Sequence, residues 1–98
     1  MVKHIILWKL KDELKGEEKE RVMEKIKFHL ENLKGKIPGL IEMNIITEKL
    51  DSSTADLMLD STFESADALK NYSTHPEHVA VANNCVRPYI KERLCLDF

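Results

Sequence analysis

The sequence predicts a small α+β domain whose elements run strand, helix, strand, strand, helix, strand. Three observations carry this. Four segments read as strands, and in the second and third apolar residues alternate with polar ones. Between the first and second of these lies one long stretch with helical periodicity. Between the third and fourth lies a shorter helical stretch marked by a serine cap and a proline.

Val2 to Leu10 reads as the first strand. Its even positions are Val2, His4, Ile6, Trp8 and Leu10; its odd positions are Lys3, Ile5, Leu7 and Lys9. Both faces are apolar at the centre, so both are expected to be covered. Lys11 to Gly16 is a polar connection. Glu17 and Glu18 then open a helix, placing negative charge at its positive end. Val22, Met23, Ile26, Leu30, Leu33 and Ile37 span about 100° of helical arc, one face packed on a sheet. Phe28 projects from the opposite side, either as an isolated exposed residue or as part of a second contact. Gly35 is the expected stop, and Pro38-Gly39 the turn that follows.

Leu40 to Glu48 reads as the second strand, with Ile41, Met43 and Ile45 alternating against Glu42 and Asn44. Leu50 to Thr54 is a turn, and Ala55 to Phe63 the third strand, so the two form an antiparallel hairpin. Leu57, Leu59 and Phe63 share one face; Asp56, Met58, Asp60 and Thr62 share the other, where Asp56 and Asp60 read as solvated. Ser65 caps a helix over Ala66 to Tyr72. Pro76 starts a second helical run to about Asn84, Pro88 interrupts, and Lys91 to Phe98 forms the last strand. The order is that of a ferredoxin-like fold with a four-stranded antiparallel sheet, residues 1–98 forming one domain.

That architecture stacks both helices on one face of the sheet. Ile5 and Leu7, flanked by Lys3 and Lys9, give the first strand an apolar centre on the other face. A chain of 98 residues buries only roughly 60–70% of its unfolded surface, so its core is thin. Two copies packed sheet to sheet bury the second face through a two-fold interface, and a homodimer is therefore expected.

The totals narrow the function. Fifteen basic residues against seventeen acidic ones give a net charge of −2, which is no footprint for a nucleic acid or an anionic membrane. The apolar run Ile5 to Trp8 is far too short to span a bilayer. The first residues enter strand-like sequence with no secretory segment, and a cytoplasmic location is expected. Cys85 and Cys95 have neither metal nor disulfide spacing and read as two reduced core thiols. Only Gly16, Gly35 and Gly39 are present, so no glycine-rich phosphate loop exists, and no serine sits in a nucleophile elbow.

The residues able to carry chemistry gather at Tyr72, His75, Pro76 and His78. His78 is the natural acid/base group, because only imidazole titrates near neutrality unperturbed. Tyr72 is placed to donate its hydroxyl to a carbonyl or enolate oxygen. Asp97 is able to fix an imidazole tautomer, and His4 lies on the strand face of Ile6 and Trp8. Together they suit proton abstraction beside a carbonyl. Competing readings make His4 a core histidine, His75 a helix cap, and Asp97 a surface partner of Lys91 or Arg93. His75 and His78 are three apart, but a third ligand from His4 or Asp97 is long-range and no metal signature accompanies them. No metal ion is expected.

At these residues the chain resembles the stress-responsive α/β-barrel domain. The resemblance rests on Val2-Lys3-His4 in the first strand, Pro38-Gly39 before the second and Phe63-Glu64-Ser65 after the third. It continues through Tyr72, His75-Pro76, His78-Val79 and Asp97-Phe98, and covers essentially the whole chain. It implies a dimer whose two sheets form an α+β barrel. The best-understood relatives of this kind are plant polyketide cyclases, which close a poly-β-keto thioester without an organic cofactor. Carried over, His78 is the acid/base, Tyr72 its partner, and His4 and Asp97 the supporting pair. Ile6, Trp8, Val22, Met23 and Ile26 then line an apolar pocket that takes a small carbonyl or polyketide-like compound. The alternative is a non-catalytic stress-response or small-ligand-binding protein.

Overall fold

The computed structural model describes all 98 residues. The elements are β1 (Val2–Leu10), α1 (Gly16–Glu31), β2 (Leu40–Ile46), β3 (Leu57–Phe63), α2 (Ala66–Thr74), α3 (Pro76–Val81) and β4 (Ile90–Asp97). A π-helical turn (Ala82–Val86) and a 3-10 turn (Arg87–Tyr89) join α3 to β4. The sheet order is β2-β3-β1-β4, and every neighbouring pair is antiparallel. The fold is the expected ferredoxin-like α+β arrangement, with the helices on one face.

The period-two pattern decides which residues face them. His4, Ile6, Trp8 and Leu10 of β1 are buried, as are Leu57, Leu59, Ser61 and Phe63 of β3. Against them pack Val22, Ile26 and Leu30 of α1 and Tyr72 of α2. The helix caps follow the sequence. The Ser65 hydroxyl accepts from the Ala68 amide at 3.1 Å, and Pro76 occupies the first turn of α3. Glu17 and Glu18 lie in the first turn of α1.

Four boundaries and the surroundings of Asp56 differ from expectation. α1 ends at Glu31, not near Gly35, because the chain tightens into three-residue turns. The Leu33 amide bonds to the Leu30 carbonyl and the Lys36 amide to that of Leu33. This still turns Leu33 and Ile37 into the core, and Gly35 closes the segment at φ +89°. β2 stops at Ile46, and the pairing register shifts between Leu40 and Glu42. The irregularity at Ile41 lets both Leu40 and Met43 face inward. β3 starts at Leu57, and Asp56 is not solvated: its side chain is 12% exposed. It accepts from the Leu10 amide and from the Lys19 and Lys49 ammonium groups, at 2.8, 2.8 and 3.0 Å. Asp60 faces the open side and pairs with Lys3. α2 runs two residues past Tyr72, to Thr74.

The open face of the sheet carries Leu7, Leu94 and Leu96, all exposed, with Phe98 following Asp97 at the end of β4. Leu7 sits opposite Leu94, and Ile5 opposite Leu96. Cross-strand partners share a face, so these four side chains form one apolar stripe along β1 and β4. Phe28 is also exposed, on the outer side of α1, edge-on to His29. No helix is long and apolar enough to cross a membrane.

Candidate active site

On the helix side of the sheet, β1 and β4 form the floor of a cavity of about 800 Å³, and α2, α3 and the π-helical turn form its walls. His4, Tyr72, His78 and Asp97 all line it. Four residues separated by up to 93 positions are thus brought to one space by strand register and the α2–α3 junction.

His4 and Asp97 meet because β1 and β4 pair antiparallel with these two residues opposite each other. The His4 Nδ1 lies 2.5 Å from an Asp97 carboxylate oxygen. A carboxylate only accepts, so His4 donates from Nδ1 and that tautomer is fixed. His4 is buried, and the Ser61 hydroxyl donates to its backbone carbonyl at 2.7 Å. Burial would raise the Asp97 carboxyl, but bonds from His4 and Cys95 and the charge of Arg93 outweigh it and hold the group below its ordinary range.

Tyr72 and His78 meet because α2 ends at Thr74 and α3 begins at Pro76, with His75 alone between them. His75 is the cap between them: its Nδ1 accepts from the Glu77 amide at 3.1 Å. The capping alternative therefore holds for His75, which does not line the cavity. The Tyr72 and His78 rings lie 4.1 Å apart at 35°. Phe63 backs the tyrosine at 4.9 Å, and His4 stands edge-on to it at 6.3 Å.

The His78 Nδ1 lies 3.3 Å from the Ser73 carbonyl oxygen. A carbonyl accepts only, so Nδ1 carries the hydrogen and Nε2 keeps its lone pair. Burial lowers the His78 pKa; the Ser73 carbonyl opposes this, while His4, Arg87 and Arg93 push it further down. Burial thus favours the neutral imidazole, the form that acts as a base. Burial drives the Tyr72 hydroxyl well above its ordinary pKa, so it stays protonated and is a donor. A base and a donor stacked in one cavity are the two groups that enolisation needs.

The lining differs from expectation in part. Ile6 and Trp8 do face the cavity, but Val22, Met23 and Ile26 do not. α1 lays those three over the closed part of the core, and only Leu30, nearer its C-terminal end, reaches the cavity. Leu69, Ala82 and Val86 complete the apolar wall. The expectation of two core thiols also fails for one of them. Cys85 is buried, but Cys95 is exposed at the cavity edge, its Sγ 3.4 Å from the Asp97 carboxylate and 3.7 Å from the His4 Nδ1. Cys95, Arg93 and Arg87, all cavity residues, are absent from the sequence-derived site. The signal for two of them was present: the alternation that puts Asp97 inward along β4 puts Cys95 and Arg93 on the same face.

A family model for the stress responsive A/B barrel domain matches residues 2–98. The chain belongs to this family. A solved relative from Bacteroides fragilis is 37% identical, with a TM-score of 0.90 over 99% of this chain and 93% of its own. It is described as a dimeric protein of unknown function with a ferredoxin-like fold. A dimeric ferredoxin-like protein from Thermobifida fusca, 21% identical, superposes with a TM-score of 0.82 over 99% of this chain and 88% of its own. A hydroxynitrile lyase from Passiflora edulis, 20% identical, does so at 0.80 over 99% and 90%. At these lower identities the likeness is one of fold. No curated protein matches in sequence. The A/B barrel assignment and these solved structures agree with the observed order of the elements.

Proposed function

We propose that this A/B barrel protein is a cofactor-independent acid/base enzyme acting on a small, largely apolar carbonyl or polyketide-like compound, and that it works as a homodimer. One observation carries the reading: the His78 imidazole and the Tyr72 phenol, their ring centres 4.1 Å apart, share an apolar-walled cavity. Such a pair suits proton transfer at a carbon beside a carbonyl. His78 Nε2 takes the proton from that carbon. The electron pair moves onto the carbonyl oxygen, and the Tyr72 hydroxyl donates a hydrogen bond to the enolate that forms. The enolate carbon attacks a second carbonyl, and the imidazolium returns the proton to the new alkoxide. His4 and Asp97 are positioning residues: their bond stiffens the floor on which Tyr72 rests.

The dimer reading is supported by the exposed stripe of Leu7, Leu94 and Leu96 and by relatives described as dimeric. The proposed interface lies on the open face, so it leaves the cavity on the helix face.

The test is a screen of β-keto thioesters and small carbonyl compounds against the wild type and His78→Ala. Turnover by the wild type that is lost in the variant is expected. Turnover unchanged in His78→Ala excludes the proposed base. Compounds that raise the melting temperature without being turned over point instead to ligand binding.

A further inference from the structure

We propose that His4, Cys95 and Asp97 form a three-ligand site for a zinc-class divalent cation, with a fourth coordination position open to the cavity. Their donor atoms, the His4 imidazole nitrogen, the Cys95 sulfur and an Asp97 carboxylate oxygen, lie within 4.8 Å of one another. They come from two paired strands: His4 stands opposite Asp97 in register, and Cys95 precedes Asp97 by two residues on the same face.

The separations are close to those a tetrahedral zinc ion imposes. With bonds of about 2.0–2.1 Å to nitrogen and oxygen and about 2.3 Å to sulfur, tetrahedral geometry sets sulfur about 3.5 Å from its neighbours and nitrogen about 3.3 Å from oxygen. Cys95 Sγ is 3.7 Å from His4 Nδ1 and 3.4 Å from Asp97 Oδ1. Only the His4–Asp97 contact, at 2.5 Å, must open, by about 0.8 Å on that same geometry. The Asp97 side chain is 45% exposed and lies at the end of β4, so the carboxylate has room to rotate. His4, by contrast, is held by the Ser61 bond and the Phe63 and Tyr72 rings. One ligand is fixed and two adjust to it.

The donor set selects the metal. A thiolate with an imidazole and one carboxylate favours zinc or cobalt over magnesium or calcium, which take oxygen ligands. On binding, the Cys95 thiol loses its proton to solvent, and the hydrogen on His4 Nδ1 leaves that nitrogen, to Nε2 or to solvent, so that its lone pair faces the ion. Thiolate and carboxylate then balance the charge of the dication. Three protein ligands leave one coordination position open, which a closed four-ligand structural site does not, and the acid/base roles of His78 and Tyr72 need no metal. The ion would sit where the His4–Asp97 bond now lies, so metal and hydrogen bond are alternative states of one pair. The proposal stands whether or not His78 performs acid/base chemistry.

Titration of chelator-treated, dialysed protein with cobalt(II), and then zinc(II), tests it. One cobalt per chain is expected, with the visible bands of a tetrahedral ion, a near-ultraviolet sulfur-to-cobalt charge-transfer band, and displacement by zinc. Cys95→Ala removes the near-ultraviolet band and weakens binding by about tenfold or more. This exposed position tolerates alanine without loss of fold, which circular dichroism verifies. Asp97→Asn weakens binding but keeps the band. Cys85→Ala changes neither. No binding at micromolar cobalt or zinc overturns the site. So does binding of equal strength and spectrum in Cys95→Ala, because the ion then resides elsewhere.

Discussion

At the scale of residues, the proposed chemistry divides between His78 and Tyr72, and the two make separable predictions. General base catalysis is typically worth about 10²–10⁴ in rate, so His78→Ala is expected to lower kcat/KM by that order while leaving the fold intact. The pH profile follows from the direction of the His78 shift. Burial lowers its pKa beneath 6.5, and the reactive form is the neutral one. Activity is therefore flat through neutrality and falls only as pH drops through a midpoint below 6.5. A midpoint at or above 6.5 contradicts a desolvated His78 base. Tyr72→Phe keeps the ring against Phe63 and His78 and removes only the hydroxyl. Loss of a donor to a developing oxyanion costs about 10²-fold in kcat. The melting temperature, set by the ring's packing, should move by no more than about 2 °C in so conservative a change. A large thermal shift with little kinetic change would make Tyr72 structural.

Between residues and the whole molecule stand the elements, and here the limits of sequence are visible. All four strands and the main helices were legible because alternation and caps are local. The cavity lining was legible only on its strands. Val22, Met23 and Ile26 have the right periodicity for a pocket, but which stretch of sheet α1 crosses is decided by tertiary packing. The burial of Asp56 is hidden from the sequence for the same reason, since no local signal shows Lys19 and Lys49 converging on it. Its burial would raise the carboxyl, yet those two lysines and the Leu10 amide hold it down to about 2. The sign of the consequence is fixed: a carboxyl lowered in the folded state stabilises above its unfolded pKa of about 3.9. That stabilisation fades as pH falls from about 4 towards 2. Asp56→Asn should thus cost about 2 kcal/mol at pH 7 and flatten the acid limb of the stability curve, read by urea unfolding across pH. Gly39 gives a sharper test of element packing. It has φ +83°, and a Cβ there would stand 2.5 Å from the Ala68 Cβ of α2. Its carbonyl also accepts from the Glu64 amide at 2.9 Å. Gly39→Ala is expected to destabilise by about 1–3 kcal/mol from backbone strain alone, with the collision added, measured by denaturant midpoint. A neutral result would mean that α2 shifts freely against β2, which its burial of Tyr72 argues against.

For the whole molecule, the decisive feature is that β1 has two jobs. Its even residues build the core and the cavity floor, while Ile5 and Leu7 join Leu94 and Leu96 on the open face. A surface stripe of this kind lies beside the Lys3–Asp60 pair, whose charges frame it without interrupting it. Packing a second copy against the stripe removes it from water and repeats every contact by symmetry. Burying a leucine side chain is worth about 1.5–3 kcal/mol, and a two-fold interface counts each substitution twice. Leu94→Glu therefore should weaken self-association by about 3–6 kcal/mol, more than a hundredfold in Kd, on hydrophobic terms alone. Sedimentation velocity should show a dimer for the wild type at micromolar concentration and a monomer for the variant. Leu94 points away from the helices, so the far-ultraviolet circular dichroism of the monomer should remain that of a folded chain. A wild type that sediments as a monomer, or a Leu94→Glu variant that stays dimeric, would remove the open face as the interface.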